Sequence, residues 1–199
     1  MSAWQRLTRT VAPATAAISL ATAKAHLRVE FADDDGYIEQ LIEAATATVE
    51  GPNGIGLALV TQTWKLTRDG GLFLPMELPL GPVQSVTSVS YVDTDGAPQT
   101  LSSDAYDVFS DRRPAVIDLA YGASLPSVRK QLNAATVTFV AGFGATPDAI
   151  PADLRSALLL MIGHWYHQRE AVVVGTTAVQ LPMGVASILE RYRCGRFGE

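Results

Sequence analysis

The chain has 199 residues, a single cysteine and a formal net charge of −5 at pH 7. That length suits one domain with a sizeable core, one thiol excludes an internal disulfide, and the acidic balance argues against a protein that grips nucleic acid over a broad face. The longest apolar run, Ala157 to Gly163, falls far short of the roughly 20 residues a membrane span requires. No apolar stretch of signal-peptide type opens the chain, so no signal peptide is expected.

Residues 1–18 lack apolar periodicity and are rich in Ala and Thr, so they are expected to form an arm, loose or laid on a neighbouring subunit. Ser19 then stands as the N-cap of a short helix, Leu20 to Leu27. The triplet Asp33-Asp34-Asp35 opens a second helix, where carboxylates favour the positive end of the macrodipole. Ile38, Leu41, Ile42, Ala45 and Val49 keep helical spacing, and Gly51-Pro52 ends the run.

From about Leu57 the period becomes two. Val60, Gln62, Trp64 and Leu66 alternate with Leu59, Thr61, Thr63, Lys65 and Thr67, as in a half-buried strand. Further strands are predicted over Val86–Val92, Ala105–Phe109, Val116–Ala120 and Ala135–Val140. Asp93-Thr94-Asp95-Gly96 is a hairpin-turn signal. A calcium loop starting at Asp93 fails, because Pro98 occupies the place of the required glycine.

A long helix follows over Ile150–Arg169. Leu154, Leu158, Met161, Ile162 and Trp165 form one stripe, while Leu159, Leu160 and Tyr166 lie off it. Such a helix is either deeply buried or shared between subunits. A last helix spans Gly184 to Tyr192. The chain therefore reads as α+β: a bundle of two N-terminal and two C-terminal helices (19–56 and 146–192) around an inserted β-rich block (57–145), with an arm (1–18) and a basic, aromatic tail (193–199).

Candidate chemistry is sparse. His164 and His167 share a helix face at i and i+3, with Glu170 three residues on, a spacing open to a metal. The sequence between them is HWYH rather than HExxH, and no second carboxylate–histidine pair completes a two-metal site. There is no G-x-S-x-G nucleophile turn and no phosphate loop. No catalytic residue, metal or cofactor is expected, and Cys194 reads as an incidental thiol. Trp64 and Tyr91 are the candidates for a carbohydrate- or peptide-binding groove, against core packing of both.

Three segments, SLATAKAHLRV (19–29), LVTQTW (59–64) and GHWYHQREAVVVGT (163–176), together resemble the head–tail connector, or adaptor, proteins of tailed phages and gene transfer agents. Thr22 departs from the pattern, where Glu is expected. The resemblance implies a non-enzymatic ring at the head–tail junction of the particle, assembled in the bacterial cytoplasm, with by analogy twelve copies beneath the portal protein. It implies a channel that double-stranded DNA crosses without sequence-specific binding, a docking surface for a downstream stopper or tail terminator, and no membrane. On this reading Tyr192, Arg193, Arg196 and Phe197 bind the portal, and Leu159 and Tyr166 meet the adjacent subunit. The alternatives are another neck component, namely a stopper or tail terminator itself, and a metal-dependent hydrolase using His164 and His167.

Overall fold

The computed structural model describes residues 5–168 and 183–194. Among these, four helices close around one apolar core and eight strands around a second. Helix α1 (Leu20–Leu27) starts where the Ser19 hydroxyl accepts the Thr22 N–H at 3.1 Å, and ends at Arg28, whose left-handed φ of 58° closes the last turn. Helix α2 (Asp35–Val49) buries the expected stripe of Ile38, Leu41, Ile42, Ala45 and Val49. The acids at its start have specific partners: Lys24 pairs with Asp35, and Asp34 accepts a hydrogen bond from the Tyr166 hydroxyl.

Helix α3 (Ala152–His167) buries Leu154, Ala157, Leu158, Met161 and Ile162 and packs on α1, α2 and α4 (Met183–Tyr192), which adds Val185 and Leu189 to the same core. The expected stripe on α3 is the buried one, with Trp165 half-buried at its end.

The strands are β1 (Gln5–Val11), β2 (Gln62–Arg68), β3 (Met76–Leu78), β4 (Val83–Val92), β5 (Pro98–Thr100), β6 (Tyr106–Phe109), β7 (Ala115–Leu119) and β8 (Ala135–Ala141). They form an antiparallel five-stranded sheet in the order β1-β2-β8-β4-β5 and a three-stranded sheet in the order β3-β7-β6. The two sheets share a core in which Trp64, Leu66, Val137 and Phe139 of one meet Met76, Leu78 and Ile117 of the other. Extended residues 57–60 stitch the halves together. Leu57, Leu59 and Val60 belong to the helical core, and Ala58 to the sheet core.

The N-terminal segment corrects the arm reading. Residues 5–11 form a sheet strand, in register from Gln5 opposite Arg68 to Val11 opposite Thr63, and Ala17 and Ile18 are buried in the helical core. This strand lies at the sheet edge with Arg6, Thr8, Arg9, Thr10 and Val11 all exposed, so it carries no apolar period. The hairpin turn lies where expected: the Asp93 N–H donates to the Ala97 carbonyl at 3.0 Å, and the Asp93 carboxylate accepts from the Asp95 and Ala97 N–H groups and from Gln99. The Gln99 and Ala97 bonds hold that carboxyl below its usual pKa.

Candidate assembly surfaces

The C-terminal end is clasped to the body by a chain of specific contacts. The Tyr192 hydroxyl donates to Asp153 Oδ1 at 2.9 Å, and Arg191 reaches the other oxygen of the same carboxylate at 3.1 Å. Phe143 meets the Tyr192 ring edge-on at 6.4 Å, and the Arg113 guanidinium lies over that ring at 5.9 Å. Burial, then the bond to Asp153, push the Tyr192 phenol pKa up. Two residues on, the Cys194 N–H donates to the Ile55 carbonyl at 2.9 Å, and its thiol, 1% exposed, is raised in pKa by burial. Gly56 makes this close approach possible: its φ is +78°, and a Cβ there would stand 2.3 Å from the Cys194 carbonyl oxygen.

The expected portal contacts therefore divide. Tyr192 is used inside the protomer as an anchor. Arg193 is exposed and pairs with Glu190 at 3.1 Å, while Arg196 and Phe197 lie outside the described residues. Asp153, which holds the clasp, was not singled out by sequence, since an acid in a first helical turn has an ordinary explanation, and Gly56 reads only as part of the run Gly51–Gly56, which makes no phosphate loop.

The expected subunit-contact residues also find partners in their own chain. Tyr166 bonds Asp34 and packs on Tyr37 with ring centroids 6.1 Å apart, and Leu159 is half-buried against the helical core. The apolar residue that α3 leaves open is Leu160, 42% exposed. His164 is half-buried and His167 exposed, with Glu170 outside the described residues. Among the described residues no group of three His, Cys, Asp or Glu side chains is placed to hold a metal ion. Trp64 is buried and Tyr91 packs against the sheet core.

Where β1 meets α2, a cleft of about 920 Å³ opens between residues 7–17 and the C-terminal half of the helix. Glu50 lines it and ties three parts of the fold. Its Oε1 accepts the Leu59 N–H and the Gln62 side-chain amide, each at 2.8 Å, and its Oε2 lies 3.5 Å from Arg9 of β1. Burial raises the Glu50 carboxyl pKa, and the Leu59 and Gln62 bonds and the Arg9 charge oppose it.

The outward face of the five-stranded sheet has a regular surface. Register aligns Thr8, Lys65, Thr138 and Ser88 in one row, and Arg6, Thr67, Thr136, Ser90 and Thr100 in the next. Two bulges in β4 keep its serines pointing outward at 85, 88 and 90. No strand of this sheet contains Asp or Glu, yet they carry Arg6, Arg9, Lys65 and Arg68. Residues 30–50 show the reverse, with seven carboxylates and neither Lys nor Arg.

Residues 16–194 match the family model described as head completion protein. The chain belongs to the head completion protein family. Its structural neighbours are parts of gene transfer agent (GTA) particles. The likeness is 28% identity at a TM-score of 0.75 to a chain in the neck of an empty GTA particle computed with C6 symmetry, over 96% of this chain and 97% of that one. A chain from the virion of a native GTA particle matches at 29% identity and a TM-score of 0.73, over 96% of each. A third, from the neck of a native GTA particle computed with C12 symmetry, matches at 26% and 0.69, over 96% of this chain and 97% of that one. Comparison with curated proteins gave no match. All three neighbouring chains thus come from the virion or the neck of a GTA particle.

Proposed function

We propose that this head completion protein is a ring-forming adaptor at the head–tail junction. It sits beneath the portal, extends the DNA channel and offers a docking surface to the next neck or tail component. The observation that carries this reading is the likeness along nearly the whole chain to two neck structures of GTA particles, one computed with sixfold and one with twelvefold symmetry. Twelve copies, to match the portal, follow by analogy. The net negative charge suits a channel that DNA crosses without being held, because a strongly basic lumen would retain phosphates.

The portal contact on this reading is the segment rooted at the C-terminal clasp. Tyr192 and Cys194 fix its base, Arg193 lies exposed beside it, and Arg196 and Phe197 follow in sequence. On α3 the contact with an adjacent copy narrows to Leu160, with Leu159 at its rim. Because residues 191–194 hold the clasp, the informative truncation removes only residues 195–199. Pull-down on purified portal rings is expected to lose the truncated chain while its melting temperature stays unchanged. Normal portal binding by that chain would refute the tail assignment. Recruitment to tail components in the absence of portal would favour a stopper or tail terminator instead.

A further inference from the structure

The proposed ring poses a question that the charge distribution answers. Identical copies arranged head to tail meet through two different surfaces of the same chain, and these must complement one another. This chain carries two surfaces of opposite sign on separate elements. The outward sheet face is rich in hydroxyl groups and free of carboxylates, with Arg6 and Lys65 exposed on it. The segment from Glu30 through α2 has no Lys or Arg and exposes Glu30, Asp33, Glu39 and Glu43, with Phe31 at its head 53% exposed.

We propose that the outward face of the five-stranded sheet docks on the acidic 30–43 surface of a second copy of this chain. The inference rests on the ring reading and adds which surfaces close it. Serine and threonine rows supply hydrogen-bonding groups without the desolvation cost of buried charge, and the few cations set direction and register rather than bulk affinity. Val11, 56% exposed at the end of the edge strand, and Phe31 on the opposite patch supply apolar surface to cover. Like surfaces repel in this arrangement: sheet against sheet sets cation on cation, and helix against helix sets carboxylate on carboxylate. Contact of either surface with its own copy is therefore disfavoured, and contact between the two unlike surfaces favoured.

A carbodiimide cross-linking experiment tests the pairing. Necks are isolated from particles built with a mixture of ordinary and ¹⁵N-labelled chain, then treated with a zero-length carbodiimide. A mixed-isotope cross-link between Lys65 and Glu39 or Glu43 is the expected product. Rings that yield no such link overturn the pairing and leave the ring reading standing, whereas necks that hold the chain as separate single copies overturn both. Lys65 linked only to another neck protein, or shielded until nuclease removes DNA, also overturns the pairing. Charge exchange gives a second test. Lys65→Glu and Glu39→Lys should each lower ring formation by about tenfold, and an equal mixture of the two chains should restore it, because each altered surface then meets its complement. Rings formed normally by either variant alone, or a mixture that fails to recover, would count against the proposal.

Discussion

The hydroxyl of Tyr192 donates to the carboxylate of Asp153 at 2.9 Å, joining the last turn of α4 to the first turn of α3. This bond, with Arg191 on the other carboxylate oxygen and Cys194 on the Ile55 carbonyl, fixes the end of α4 and the residues up to Cys194 against the body. Tyr192→Phe keeps the ring contacts and removes only the hydrogen bond. The expected cost is about 1 kcal/mol, or a melting temperature lower by roughly 2–4 °C for a chain of this size, read by calorimetry.

Gly56→Ala should be more severe. The new methyl meets the Cys194 carbonyl oxygen at a residue whose φ is already positive, so the clasp must open. Thiol labelling reports this directly. Cys194 is buried with a raised pKa and should react slowly with a disulfide reagent in the native protein, faster in the Gly56→Ala variant, and fully on denaturation.

Glu50 gives the chain a pH signature. Its folded pKa lies above the 4.5 of an unperturbed carboxyl, so the folded state binds its proton more tightly than the unfolded chain does. The stability this contributes is complete below that unperturbed value and is lost as pH rises through the folded pKa. The denaturation midpoint of Glu50→Gln should therefore fall less between acidic and neutral pH than that of the native chain. An unchanged slope would mean that Glu50 is not the group responsible.

On α3 two adjacent faces should respond differently. Leu158 is 1% exposed, and Leu158→Asp buries an unpaired charge at a cost of about 3 kcal/mol or more, which circular dichroism should register as a loss of folded protein. Leu160→Asp, on the open side, should leave the spectrum and melting temperature intact while lowering recovery of assembled rings.

The helices were legible because each carries its apolar residues at helical spacing between recognisable ends: Ser19 before α1, Gly51-Pro52 after α2. The turn at Asp93–Gly96 announced its hairpin in the same local way. Strand β1 was not legible, since Arg6, Thr8, Thr10 and Val11 face water and only pairing with β2 makes them a strand. Strands β3 and β5, three residues each, are too short to show a period.

The assembly surfaces were readable only in part. Composition revealed the basic aromatic end and the acidic start of α2. It did not reveal that Tyr192 turns inward to Asp153, that Tyr166 is taken up by Asp34, or that scattered Thr and Ser residues from five strands align in rows. Those depend on contacts between residues distant in sequence.

The most direct test is a reconstruction of the particle neck with this chain located in it. A closed ring of the chain against the portal is expected, with the residues after Cys194 reaching portal subunits and double-stranded DNA crossing the centre. Density for the chain on the tail side only, with another protein between it and the portal, would contradict the adaptor assignment.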